Sequence, residues 1–384
     1  MHAALVLTLL AAIDASTAGR AFHEIDAMCK ADAGTMWGRS LCGPMVFADP
    51  RTRQAMTRDG AATIPDSIGI ANTAVEWQGG TWTMVMWPLP ESVIARRVLL
   101  AHESFHRLQK ELALPVDSPR NAHLEDADAR YWMRLEFRAL ARALATRSPE
   151  ALRDALAFRA RHRRDEERLL EMNEGLAEYT GYAMAIPRID ERIAPLVRRL
   201  ASAEKSDSFA RSFAYVTGPA WGTLIEMQDP HWTRKLPADA ELARLADRAW
   251  NLPHDRSRHV PDEEAYGGSV VRAEEDARAA KKRQLLAAMR ARYVEGAVLT
   301  IPLQQMQFTF DPNTVQPFGD LGTVYPTMEV RDVWGKIVVT AGGLISPDFK
   351  RLVVPADGEG YELTLNDGWR ILPDVRQGDQ TIGR

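Results

Sequence analysis

The sequence predicts an α+β protein, on three observations. Extended segments divided by Gly, Pro, Asp and Asn fill residues 44–90. Helical periodicity prevails from 92 to about 250 and returns at 268–294. From 297 onward strand-like segments with turn residues between them take over, which predicts a small β-rich C-terminal domain.

Each element follows from its residues. In the first part "PMVFAD", "AATIP", "TAVEWQ" and "TWTMVMW" read as strands. The two-residue period puts Trp82, Met84 and Met86 on one face of the last strand and Thr81, Thr83 and Val85 on the other. "PLPES" breaks it and offers Ser92 as an N-cap. Over 92–112, Ile94, Val98, Ala101, Phe105, Leu108 and Leu112 form the core-facing stripe, with Arg96, Arg97 and Lys110 directed elsewhere. "NAHLEDADARYWMRLEFRALARAL" is a long amphipathic helix, and "SPEALRDALAFRAR" starts a second with Ser148 and Pro149. A third spans about 165–186 and stops at Pro187, and further helices are predicted near 189–203, 208–228 and 238–250. Residues 251–267 are polar and punctuated by Pro and Gly, a loop in which His254 and His259 read as solvent-exposed. "AVLTIPLQQMQFTFD", "TMEVRDVWGKIVVTAG", "RLVVPA" and "YELTLNDGWRILP" form the terminal β region.

The chain has 384 residues, 46% of them hydrophobic, enough for one large core or several modest ones. A formal net charge of −4 gives no electrostatic reason for a nucleic-acid partner. No apolar run approaches the roughly 20 residues that span a bilayer, so no transmembrane segment is expected. "AALVLTLLAAI" has the length of a signal-peptide core, and "ASTAGRA" supplies small residues for cleavage behind Ala18, which points to a periplasmic or secreted protein. The alternative is a buried helix stopped by Asp14. The only cysteines are Cys29 and Cys42. Export would make a disulfide between them reasonable, and a cytosolic location would leave two inert thiols.

The stretch "LLAHESFHRLQ" carries the chemistry. Positions i and i+4 share a helix face, so His102 and His106 can reach one metal ion. Zinc takes imidazole nitrogen readily, and a catalytic zinc needs three protein ligands and an open position. Glu103 lies about 100° further round the helix, beside that ion, where it can take a proton from water rather than ligate. A third histidine in the extended motif is excluded, because Gln109 and Leu112 occupy the positions it requires. The remaining source is an acid on a later helix, and "EMNEGLAEYTG" offers Glu174 and Glu178, neither with a cation three or four residues away. Glu167 and Glu171 have Arg163, Arg164 and Arg168 in reach and read as a solvated face.

"VLLAHESFH" followed by "NEGLAEY" resembles a gluzincin, the zinc-peptidase group whose third ligand is a glutamate, and "NEG" resembles the ligand-bearing stretch of zinc aminopeptidases. The resemblance implies a zincin-like catalytic domain over 19–250 after a signal peptide at 1–18, a loop and connecting helix at 251–296, and the β-rich domain at 297–384. It implies His102, His106 and Glu174 as zinc ligands, Glu103 as general base, and Glu178 as the acid that orients the first histidine. Tyr215 and Gly218 in "SFAYVTGPAWG" match a Tyr-x-x-Gly stretch whose tyrosine hydrogen-bonds the oxyanion. It also implies a strand edge bordering the cleft, a place "TWTMVMW" would take, with Trp82, Met84, Met86 and Trp87 as subsite candidates, although core packing is the expected role of most of them. His123, Asp126 and Asp128, near the start of the following helix, read first as surface residues, with support of the metal site as the alternative.

The sequence departs from the family in a long insertion between residues 106 and 174, in the charge of Arg107, and in lacking a Gly-Ala-Met-Glu-Asn stretch before His102. Aminopeptidase specificity therefore does not carry over. The expectation is a zinc-dependent peptidase acting on peptides or proteins. The alternatives are a non-catalytic envelope protein with structural zinc, and a partner-binding protein presenting the β domain.

Overall fold

The computed structural model describes residues 13–253, 259–312 and 314–384. The chain divides into two compact units, 1–275 and 276–384, with helices and sheets in an α+β arrangement and strands prevailing in the second. Among the described residues no helix is long and apolar enough to cross a membrane.

The first unit opens with helix α1 (Ala15–Asp32), capped by the Asp14 carboxylate, which accepts from Thr17 N at 2.7 Å. Asp14 therefore starts a helix. Most of the apolar run before it lies outside the described residues, and Ala18, the expected cleavage position, is fully buried within α1. Cys29 and Cys42 are free thiols, the first buried and the second exposed. Burial first, then the neighbouring Cys42 thiol, pushes the Cys29 thiol well above its ordinary value.

Strands β1 (Met45–Ala48), β2 (Gln54–Thr57), β3 (Gly60–Thr63), β4 (Thr73–Trp77) and β5 (Gly80–Met86) form one sheet in the order β3-β2-β1-β5-β4. The alternation of the pleat sorts its two faces. Phe47 and Val85 pack into the large core with the helices, while Val46, Ala48, Trp77 and Met84 form a separate small core on the other face. The expectation of a free edge on "TWTMVMW" is corrected here. β5 is interior, parallel to β1 on one side and antiparallel to β4 on the other, so β4 is the edge. Its Trp82 and Met84 are packing residues of the small core.

Helix α2 (Val93–Gln109) starts at Ser92, whose hydroxyl accepts from Ala95 N. Two details of its expected core stripe are wrong. Ile94 is 48% exposed, whereas Arg96 is buried in an ion pair with Glu24 of α1 at 2.6 Å. The first turn of α2 overhangs the core, and a partner outside the local sequence draws the arginine in. Helices α3 (Ala127–Thr146) and α4 (Pro149–His162) follow, the latter capped by Ser148 with Pro149 in its first turn. The single helix expected at 165–186 is three pieces: α5 (Asp165–Leu170), a π-helical turn (Glu171–Gly175) and α6 (Leu176–Ala185). Then come α7 (Ile189–Ala203), α8 (Ala214–Glu226), α9 (Leu242–Ala249) and α10 (Gly268–Arg290).

Glu167 and Glu171 do not form a solvated face, since both are almost completely buried. Their partners are not the side chains of the neighbouring arginines, although Glu167 accepts from the Arg164 backbone N–H at 3.0 Å. Glu167 accepts from His123 at 2.7 Å, and Glu171 binds the Thr217 hydroxyl and the buried Arg159 guanidinium. The local window names only groups on the same helix, and here the counter-charges are Arg159 and His162 of α4 and His123 from the turn before α3, with α8 adding the neutral Thr217 hydroxyl. His123 consequently belongs to this buried network, while Asp126 and Asp128 are exposed. His259 is not free in solvent either: it binds Asp154 at 2.7 Å. His254 lies outside the described residues.

In the second unit a four-stranded antiparallel sheet takes the order Tyr361–Leu365, Gly335–Val339, Met328–Asp332, Gln307–Phe310. A seven-stranded sheet has Val298–Pro302 and Arg351–Pro355 near its centre. Leu299, Ile301, Val330, Trp334, Ile337 and Leu352 bury the space between the faces.

Candidate metal centre

Two close helix contacts set the site. A Cβ on Gly181 of α6 would lie 2.6 Å from the Val98 carbonyl oxygen of α2, so only glycine lets α6 come this near to α2. A Cβ on Gly218 of α8 would lie 2.2 Å from Gly175 Cα, at the end of the π-helical turn. The turn carrying Glu174 is thereby held between the histidine helix and the tyrosine helix. Gly218→Ala should cost about 1–3 kcal/mol of stability by overpacking, because backbone and not a flexible side chain must give way. Urea denaturation measures it, and a variant with the parent's midpoint would refute the close packing.

The side chains converge at this place. His102 and His106 have their Nε2 atoms 3.0 Å apart, and Glu174 Oε2 lies 3.5 Å from each. These three residues form a group that could hold a metal ion. Each donor is fixed from behind. His102 donates Nδ1–H to Glu178 Oε2 at 2.8 Å, and Glu178 Oε1 accepts from Arg199 at 2.7 Å. His106 donates Nδ1–H to Gln109 Oε1 at 2.9 Å, and the buried Gln109 amide in turn donates to the Pro115 carbonyl. Both imidazoles thus present their Nε2 atoms to the same point as the carboxylate. On the far side of Glu174, Oε1 takes weaker contacts from Asn173 at 3.4 Å and Ser118 at 3.5 Å, with Arg211 at 3.9 Å.

The electrostatics match this arrangement. Burial opposes the charge on His102, but hydrogen bonds to Glu174 and Glu178 outweigh it and raise the imidazole's pKa to about 10. Burial likewise opposes ionisation of Glu174, yet bonds from His102, His106 and Tyr215 hold its carboxyl well below the usual range. A cation bound at the three donors would replace a proton as the centre these acids stabilise.

Glu103 stands one residue on from His102, buried, with Oε1 4.0 Å from His102 Nε2. Its Oε2 is buried and has no hydrogen-bond partner among the described residues. Burial raises its pKa, against the pull of His102 and His106. A buried carboxylate oxygen left unpaired is costly unless something outside the chain's own groups occupies the space before it. Tyr215 lies parallel to the His102 ring, with centroids 5.8 Å apart, and burial first, then the nearby Glu174 carboxylate, pushes its phenol well above the ordinary value. Glu103, the three donors and Tyr215 line one cleft of about 400 Å³, with Asn72, Leu99, Arg199 and Arg211 at its margins.

The structure brings together His102, Glu103, His106, Glu174, Glu178 and Tyr215. Gln109, Arg199 and Arg211 were not anticipated as parts of the site. Gln109 stands three residues after His106, a spacing that puts it on the same helix face, whereas Arg211 lies in the turn before α8, where no helical spacing relates it to Tyr215. Arg199 carries no such local signal. No protein-family model matches the chain, and neither a curated protein nor a solved structure is significantly similar to it.

Proposed function

We propose that this chain is a zinc-dependent peptidase with a gluzincin-like, zincin-type catalytic domain, exported to the periplasm or secreted. The observation that carries the reading is the triangle of donors with an unpaired buried carboxylate beside it. Ligands of a tetrahedral zinc bonded at 2.0–2.1 Å stand about 3.3 Å apart, and the three donors here are separated by 3.0, 3.5 and 3.5 Å. The two-imidazole, one-carboxylate set suits zinc, and three protein donors leave the open position of a catalytic site, where a structural zinc would be enclosed by four.

Zinc bound there supplies Lewis acidity toward a peptide carbonyl and makes water more acidic. The chain's own residues do the rest. Glu103, kept unpaired at the cleft, takes the proton of the attacking water and returns it to the leaving amine. Tyr215 turns its O–H from Glu174 toward the oxyanion as charge develops. Glu178 and Gln109 hold the two imidazole tautomers. The export part of the proposal rests on the apolar N-terminal run and the small residues that follow it.

The test is metal analysis of the purified chain after exposure to zinc, together with turnover of an unfolded protein substrate. One equivalent of zinc and chelator-sensitive cleavage are expected. A protein that takes up zinc but cleaves nothing would point to a non-catalytic zinc protein, and one that takes up no metal would sink both.

A further inference from the structure

Beside the metal cleft lies a second cavity of about 500 Å³ that shares Arg199, Arg211 and Tyr215 with it. Apart from the two arginines and Tyr215 its wall is Ser202, Ser206, Ser212 and the small apolar Ala203 and Val216, and no acidic side chain lines it among the described residues. The two guanidiniums are tethered from behind. Arg211 donates from both terminal nitrogens to Ser118, to the carbonyl at 2.9 Å and the hydroxyl at 2.6 Å, yet its side chain stays half exposed. Arg199 rests on the Tyr215 carbonyl at 3.2 Å and on Glu178, with its side chain 37% exposed. Both cations also border the metal cleft, Arg199 against Glu178 at 2.7 Å and Arg211 at 3.9 Å from Glu174. Tethered arginines that line an acid-free cavity are an arrangement that recognises a carboxylate.

We propose that this cavity binds a carboxylate of the substrate, with Arg211 as its anchor and Arg199 as the second cation, so that the enzyme prefers peptides carrying a negative charge next to the bond it cuts. The inference rests on the peptidase reading for the word "substrate", but the cavity's chemistry stands apart from it. Glu103, Glu174 and Glu178 make the cleft itself acidic, and a peptide carboxylate entering from the other side is spared their repulsion only where the arginines intervene. Two sources share this chemistry, a free C-terminus and an Asp or Glu side chain.

Fluorescence anisotropy separates them. The probes are three labelled random-sequence pentapeptide mixtures, binding to the zinc-loaded Glu103→Gln protein. One lacks Asp and Glu and has a free C-terminus, one is the same mixture amidated, and one is amidated with a single Glu. The uncharged mixture is expected to bind at least about tenfold more weakly than one of the other two, and that one identifies the source. Adding Arg211→Gln should bring the ratio within about twofold with zinc content retained, and Arg211→Lys should restore part of it. Equal binding of all three mixtures would overturn the proposal. A loss in Arg211→Gln that is the same for all three would do so too, since it would mean that Arg211 only supports Glu174. The peptidase reading fails separately. Carboxylate preference without cleavage by the unsubstituted protein would remove the enzyme and keep the cavity, and cleavage without preference would do the reverse.

Discussion

Glu103→Gln should keep its zinc and lose peptide hydrolysis by about 10²–10⁴-fold, the usual worth of a positioned general base. Glutamine is nearly isosteric and cannot accept the water's proton, and Glu103 is not among the three convergent donors. The same substitution should not destabilise the fold. Glu103 Oε2 has no hydrogen bond to lose, and removing a carboxylate whose pKa burial has already raised relieves desolvation. The two measurements therefore move in opposite directions, with denaturation midpoint unchanged or higher and kcat much lower. Hydrolysis at the parent rate by the zinc-loaded variant would show that another group takes the proton. A parallel loss of zinc and stability would show that the residue serves the fold.

The order of α2, the 165–185 region and α8 could be read from periodicity and caps, because helix signals are local: Ser92 and Ser148 cap where their hydroxyls reach the third backbone amide on. The donors were legible for a different reason. Two histidines four apart and an acid without a nearby cation leave their trace in short windows, and His102, His106 and Glu174 indeed meet. What escaped the sequence is whatever depends on partners from other elements. Glu171 has Arg168 three residues away, but its partner is Arg159 of α4. Arg96 looks like a surface residue until Glu24 of α1 is placed beside it. The strand "TWTMVMW" carries the alternation of any half-covered strand, and nothing in it tells that β1 and β4 occupy both its sides.

Glycine spacing shows where distant information was present but not decoded. Tyr-x-x-Gly drew attention to Tyr215 for its hydroxyl. In the structure the glycine is what brings the hydroxyl to the site: Gly218 meets Gly175, the last residue of "NEG", and no side chain fits between them. The two short motifs are the two halves of one contact. A π-helical turn at the same place widens the helix by one residue per turn there, as such turns often do at functional sites.

Arg159→Met should cost about 3–5 kcal/mol, the largest stability loss expected from a change outside the cleft, because it strands buried carboxylates. Arg159 is 2% exposed and binds Glu136 at 2.8 Å as well as Glu171. Glu136 also takes His162 at 2.8 Å and Trp221 at 3.2 Å, so it keeps partners, whereas Glu171 keeps only the Thr217 hydroxyl. The pH dependence follows from the same groups. Burial already raises the Glu171 carboxyl to about 6 with Arg159 present, and removing the cation raises it further. A carboxyl whose folded pKa is raised stabilises at low pH and costs stability as pH rises through it, so the variant's deficit should be smaller at pH 5 than at pH 8. The parent carries two further limbs. Burial opposes the charge on His162, but bonds to Glu136 and Glu167 raise its pKa from 6.5 to about 9, a contribution complete below 6.5 and lost as pH climbs through 9. For Glu167 burial is outweighed by bonds from His123 and His162, which lower its pKa, so its contribution is present above 4.5 and lost on acidification. Urea midpoints across pH 4 to 9 should therefore peak between about 4.5 and 6.5 in the parent, with Arg159→Met lying closest to it at the acidic end. A deficit that is constant with pH would mean that Glu171 does not take up a proton when its arginine is gone.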